Sequence, residues 1–283
     1  SDLDRGNFPI GKVESMQHIH LAELNGGGGS VFAGLRFATP WMGYSYWALE
    51  PGEVRQIAGE GEDCEQGYVL LGGPAALAVK SCRKGSDETR GERGASGQGP
   101  GYIVGPVGYD CELQNLSDRV FGVLHVKVAM SAEQMGAVAQ DSFRDGFVQT
   151  GPFAQAELKW RDAIHGGCGK IATRHVLKPE DFRSDWIYLD HAVLEQGSSV
   201  GYHYHDTLEE SFVIVGGQGL MTTADETFEV GQGSVTWQGI GQAHGIYNPG
   251  PEPLEFVRIA VLQRDEETTT IDLHDDLSAR APS

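Results

Sequence analysis

Residues 201–206, GYHYHD, place His203 and His205 two apart in a chain that has 10 histidines. Alternate side chains of an extended strand face the same way, so two imidazoles at this spacing project together and can share a metal ion. Two adjacent glutamates, Glu209 and Glu210, follow, then a glycine pair at 216 and 217, and later His244 four residues ahead of Asn248. By itself an H-x-H pair is the ordinary polar face of a strand. His18 and His20 form a second such pair, but no glutamate and glycine follow them at matching distances, so they read as a plain strand.

The frame around His203 carries more. Gly197, His203, His205, Glu209 or Glu210, and Gly216 or Gly217 resemble the first cupin motif, G-x5-H-x-H-x3,4-E-x6-G. Gly233, Gly239, Gly241, His244 and Asn248 resemble the second, G-x5-P-x-G-x2-H-x3-N, with Gly239 where the family has proline. On these residues the chain is identified as a member of the cupin superfamily. Either glutamate satisfies the first motif; Glu210 is preferred because EESFVIVGGQG then aligns with the family's strand-to-GxG turn. The resemblance implies a jelly-roll barrel (double-stranded β-helix) holding one divalent ion, Fe, Mn, Ni, Cu, Co or Zn, on His203, His205, Glu210 and His244. Open coordination positions would remain for substrate, water or dioxygen. Glu210 or Glu209 would act as the catalytic proton carrier. Tyr202, Tyr204, Trp237, Tyr247 and Asn248 lie beside the ligands in sequence and are candidate walls of a substrate pocket. Arg174 and Arg258 could hold an anionic substrate, although a surface or strand-edge place suits both better.

The elements that must position these residues are short. Apolar runs of period two, such as GYSYWALEPG, VFGVLHVKVAM, WIYLDHAVLEQG and SFVIVGGQGLM, are separated by glycine, proline or acidic turns. That pattern predicts an all-β sandwich or barrel. One helix is expected at AEQMGAVAQ, where Ser131 and Gln134 form a capping box. ALEPG at 48–52 is echoed by VLEQG at 193–197, and Gly26–Arg36 by Gly166–Val176, which argues for a duplicated unit. The expected architecture is two tandem cupin barrels: residues 1–130, a helix-bearing linker at 131–165, a second barrel at 166–263, and an acidic tail at 264–283. The tail and the glycine-rich stretch 81–101 read as mobile surface segments.

Laid on the first copy, the same template meets Ala58 and Glu60 in the histidine positions, keeps Glu65 with Gly72, and meets Cys111 in place of the last histidine. Pro106, Gly108 and Asn115 are retained. The first barrel is therefore expected to carry a degenerate metal site and a structural, interface or lid role.

A net charge of −19 disfavours nucleic acid and the anionic membrane face as partners. Four scattered cysteines without a C-x-x-C pair suit a reducing compartment, and the polar opening residues lack the features of a signal peptide, so a cytoplasmic location is expected. The expected partners are a small-molecule substrate and dioxygen, in a monomer or homodimer. Several two-barrel cupins are dioxygenases, so the resemblance implies an oxygenase first. A metal-dependent isomerase, lyase or hydrolase of a sugar-like or nitrogen-rich metabolite comes second, and a non-catalytic binding protein third.

Overall fold

The computed structural model describes residues 18–24, 29–32, 34–57, 63–72, 76–83, 97–98, 100–105, 107, 109–140, 148–280 and 282. Ala58 and Glu60 lie outside these residues, as does most of the glycine-rich stretch 81–101. Nearly every described element is a strand, and the strands form two jelly-roll barrels as expected. The helix is Ala132–Gln140. Its capping box is present, with the Gln134 N–H donating to Ser131 Oγ at 3.1 Å and the Ser131 N–H donating to Gln134 Oε1 at 2.8 Å.

Each barrel pairs one large sheet with one smaller sheet. In the C-terminal half a seven-stranded sheet runs in the order His18–His20, Ser234–Gln238, Leu208–Gly216, Leu254–Leu262, Trp186–Leu194, Lys170–Leu177, Lys159–Asp162. Two of those strands come from elsewhere in the chain. His18–His20, a strand as expected, crosses over from the N-terminal end to pair with Ser234–Gln238. Within the linker, Gln149–Pro152 joins Gly101–Val104 of the first barrel while Lys159–Asp162 edges the second.

Alternation along the central strands sorts side chains into two cores. Val257, Ile259 and Val261 join Leu124, Val126 and Val128 of the other barrel in one apolar cluster, so the two large sheets pack face to face. Phe256, one residue before Val257, faces the interior of its own barrel with Phe212, Ile214 and Ile246. Trp186 reaches across the interface: a Cβ on Gly67 would stand 2.5 Å from its ring, so any side chain there would force the ring to move.

Strand pairing defines which residues of the two halves correspond. Trp41, Val128 and Glu65 are ladder neighbours in the first barrel, and Trp186, Val261 and Glu209 are ladder neighbours in the second. Glu65 therefore corresponds to Glu209, whereas counting from the glycines had matched it with the preferred ligand Glu210. The cause is a bulge between Ile214 and Gly216, which inserts one residue between glutamate and glycine in the second barrel. The Gly26–Gly166 echo is also out of register. Ser30 pairs with Ser45 as His175 pairs with Asp190, which places the equivalent positions 145 apart, the offset of the ALEPG echo.

Both corresponding glutamates are buried and point out of their own barrel into the other. Glu209 accepts from the Ala38 N–H at 2.8 Å, the Thr39 N–H at 3.2 Å and the Thr39 hydroxyl at 2.5 Å. Glu65 accepts from the Arg183 N–H at 3.0 Å, the Ser184 N–H at 3.0 Å and the Ser184 hydroxyl at 2.6 Å. Burial pushes both carboxyls up, and these hydrogen bonds pull them back.

The tail departs from expectation. Ile271–Asp272 pairs with Ser198–Tyr204, and Leu277 is fully buried, so residues 269–280 are packed against the second barrel. Acidic composition had suggested mobility, but its carboxylates are used locally, as in the Asp275–Arg280 ion pair at 2.8 Å.

Removing either inter-barrel glutamate strands three donors in an apolar interface. Glu209→Ala and Glu65→Ala are each expected to lower unfolding free energy by about 3 kcal/mol, measured by urea denaturation.

Candidate metal centre

Three elements deliver the expected ligand set. His203 is the penultimate residue of the strand Ser198–Tyr204 and stands directly across the ladder from His244, the first residue of His244–Asn248. His205 follows just beyond the strand, and Glu210 comes from Leu208–Gly216. All four are buried, and one ligand atom from each lies within 4.8 Å of the others.

The orientation of the imidazoles is defined by what their other nitrogens touch. Nδ1 of His203, His205 and His244 approaches the carbonyls of Gly201, Thr269 and Gln242 at 2.8, 2.6 and 2.9 Å. A carbonyl only accepts, so each Nδ1 carries the proton and each Nε2 presents a lone pair inward. Nε2 of His203 and His205 is buried with no hydrogen-bond partner. Nε2 of His244 is 2.8 Å from Glu210 Oε2, and that of His205 is 3.7 Å from the same oxygen. Buried lone pairs left unmatched around a carboxylate fit a cation, and these four side chains form a group that could hold a metal ion.

The electrostatics agree with that fit. Burial alone would push the Glu210 carboxyl up, but the neighbouring charges, the Arg258 guanidinium foremost, outweigh it and hold it well below the usual carboxylate range. His203 is held well below its ordinary value by burial and by the neighbouring rings of His244 and His165. Glu210 and His203 are thus in the protonation state that a metal requires, whereas at His205 the Glu210 carboxylate overrides burial and raises the pKa.

Arg258 is the main correction to the expected surroundings. Instead of lying at an edge or on the surface, it is buried on a central strand, with Nη1 3.5 Å from Glu210 Oε1 and Nη2 2.7 Å from Asp190 Oδ2. Tyr188 donates its hydroxyl to Glu210 Oε1 at 2.7 Å, and Arg258 lies 5.6 Å over its ring. Asp190 in turn meets His175 Nδ1 at 2.5 Å, and that hydrogen bond raises the His175 pKa. A signal for this network was present in WIYLDHAVL and LEFVRIAVL, each of which sets a charged residue inside an apolar run where it must find a partner. His165, also passed over, stacks on His203 with centroids 4.1 Å apart. Arg174 does have a surface role, bonding the Pro152 carbonyl at 3.1 Å and pairing with Glu157.

Other expected site residues are turned elsewhere. Glu209 faces the first barrel, because neighbours on a strand point to opposite faces. Trp237 packs edge-on against Phe37 in the inter-barrel core, with centroids 5.7 Å apart. Tyr202 donates to the Ala224 carbonyl and carries Arg280 on its ring at 4.3 Å. Asn248 is a turn staple: its amide donates to the Leu194 and Glu252 carbonyls at 3.1 and 2.9 Å and accepts from the Gly250 N–H. Asn115 does the same in the first barrel, toward Leu49 and Arg119. Tyr204 and Tyr247 are half-buried, in ladder pairs with Ile271 and Ser199.

Residues 190–261 match the cupin domain family. The chain belongs to the cupin superfamily. This cupin is 29% identical over 99 residues to an oxalate-binding protein of Thermotoga maritima, a match covering 35% of this chain and 82% of that one. It is 33% identical over 98 residues to an uncharacterized protein of Methanocaldococcus jannaschii, covering 35% and 78%. Among solved structures, a putative glyoxylate-induced protein from Pseudomonas aeruginosa superposes with a TM-score of 0.61 at 14% identity, covering 86% of this chain and 82% of that one. A variant of Bacillus subtilis oxalate decarboxylase superposes with a TM-score of 0.57 at 15% identity, covering 95% and 81%. At those identities the likeness establishes the fold, here of two barrels.

In the first barrel the same ladder positions hold neutral groups. Ser45, Gln66 and His125 stand where Asp190, Glu210 and Arg258 stand in the second. His125 bonds Ser45 Oγ at 3.3 Å and Gln66 Oε1 at 2.9 Å, and it stacks on Tyr68 at 4.7 Å. Cys111 lies on the strand Tyr109–Asn115. Burial, with some repulsion from Lys127, lowers the His125 pKa to about 3.

That depression makes His125 an acid-sensitive point. Below its ordinary pKa near 6.5 the unfolded chain takes up a proton that the folded chain refuses, so stability is lost as pH falls from about 6.5 toward about 3. His125→Gln is expected to flatten the pH dependence of unfolding free energy in that window, read from urea midpoints at pH 7, 6 and 5.

Proposed function

We propose that the second barrel binds one divalent metal ion on His203, His205, Glu210 and His244 and uses it to bind a small carboxylate of the oxalate class, with lyase chemistry as the reaction. The observation that carries the metal assignment is the convergence of three Nε2 lone pairs on one buried carboxylate, two of them without any partner. The substrate class is supported by the relative named for oxalate binding. The first barrel is proposed to be structural, and the chain is divided, as a proposal, into barrels at 1–130 and 166–263.

A bound ion supplies Lewis acidity toward a coordinated carboxylate or carbonyl. The chain's own residues prepare the surroundings. Arg258 offsets the charge of Glu210 and holds it ionised, Tyr188 anchors its second oxygen, and Asp190 holds the guanidinium. Of the two candidate proton carriers, Glu210 belongs to the cluster and Glu209 is fully engaged by Ala38 and Thr39. Oxygenase chemistry, the first expectation from the family, gains no support from the relatives above, and dioxygen has no part in this proposal. A binding role without turnover is the second reading, favoured by the name of the Thermotoga maritima relative.

Elemental mass spectrometry on protein purified without chelator is expected to find about one equivalent of transition metal per chain. His203→Ala and His244→Ala should each weaken metal binding by more than the roughly 10–100-fold typical of outer-shell partners, with the β-type circular dichroism retained. Cys111→Ser should leave metal content unchanged. Full metal retention in either histidine variant would remove the ligand assignment. With metal-loaded protein, calorimetry should detect oxalate, and 13C NMR should show its carbon converted to formate and carbon dioxide; binding without conversion selects the second reading, and neither outcome refutes the metal site.

A further inference from the structure

The three imidazoles of the cluster are not held alike. His203 and His244 donate to carbonyls two residues back, Gly201 and Gln242, so their own strands orient them. His205 donates instead to Thr269, 64 residues along the chain, with Thr270 Oγ1 also 3.2 Å from its Nδ1. The orientation of this one ligand is therefore a tertiary condition set by the C-terminal segment.

That segment is fastened along the whole cluster edge. Thr207 Oγ1 donates to the Glu267 carbonyl at 2.7 Å, and Asp272 stands across the ladder from His203. The Asp272 carboxylate meets His165 Nδ1 at 3.2 Å, and that ring is the one stacked on His203. The Tyr202 N–H donates to the Asp275 carbonyl at 2.8 Å, and Ser199 Oγ donates to that of Asp276 at 2.7 Å. Leu277, 1% exposed, seals the end: a Cβ on Gly245, beside His244, would stand 2.7 Å from its Cδ1. Arg280 closes over Tyr202.

We propose that residues 269–280 form a strap that is part of the metal centre, a positioning element whose Thr269 carbonyl keeps His205 Nε2 aimed at the ion. The proposal rests on the ligand assignment above. Without the strap, His205 is free to turn or change tautomer, and the cluster loses one prepared lone pair while its other two imidazoles stay in place. A strap that merely stabilised the barrel would shift the melting temperature of metal-free and metal-loaded protein equally. A positioning strap shifts the difference between them.

The test uses the full chain and Mn(II), with free Mn(II) counted by electron paramagnetic resonance. Leu277→Asp puts a charge into the sealed end, and the milder Arg280→Ala removes the stacking over Tyr202; hydrogen exchange at residues 269–277 reports release. Released protein is expected to bind Mn(II) about 10–100-fold more weakly and to lose most of the Mn(II)-induced rise in Tm, while Leu277→Met restores both. Unchanged Mn(II) affinity in a variant whose strap exchanges freely would overturn the proposal and leave the ligand assignment standing. Failure of the unaltered chain to bind Mn(II), Zn(II) or Fe(II) would sink the ligand assignment itself.

Discussion

A carboxylate wholly removed from water is costly unless charge and hydrogen bonds surround it, and Glu210 has 0% exposure. Much of the second barrel's polar interior follows from that one constraint. Tyr188 and Arg258 take one oxygen, and His244 and His205 approach the other. Arg258, itself buried, needs Asp190, and Asp190 ends the chain of partners at His175, which reaches solvent. The arrangement leaves two imidazole nitrogens unanswered, and an unanswered buried lone pair beside a carboxylate is an attraction for a cation.

The first barrel shows the same framework without the constraint. Gln66 in place of Glu210 needs no cation, His125 can replace Arg258 as a neutral ring, and Ser45 suffices where Asp190 was required. Every charge of the network has gone together, as expected when each is there to offset another. What both copies keep is mechanical: the asparagine turn staple and the glutamate that enters the opposite barrel. These retained groups connect a duplicated fold to its own stability, while among the described residues the buried network of Glu210, Arg258 and Asp190 belongs to the second barrel.

The barrels are tied by apolar packing between their large sheets, by strands exchanged at the ends and linker, and by the reciprocal glutamates. Glu209 and Glu210 illustrate how tightly this is linked to the site. One strand presents its glutamates to opposite faces, one toward the partner barrel and one toward the cluster, so the interface and the candidate metal centre share a single element. Among the described residues no helix is long and apolar enough to cross a membrane.

Much was readable from residues alone, because it depends on local spacing. Period-two runs marked the strands, the capping box marked the helix, and His203, His205, His244 and the flanking glycines marked the cluster. What the tertiary structure decided lies where register and long-range contact matter. A bulge after Ile214 made Glu65 the counterpart of Glu209. Asp190 met Arg258 only through pairing of distant strands, and Tyr202, Trp237 and Asn248 turned away from the cluster despite their nearness in sequence. The partner of His205 came from the acidic tail. Side-chain direction in a strand reverses with every residue, so a one-residue shift that spacing rules tolerate moves a group to the opposite face. A hydrogen bond spanning 64 residues leaves no local pattern to read.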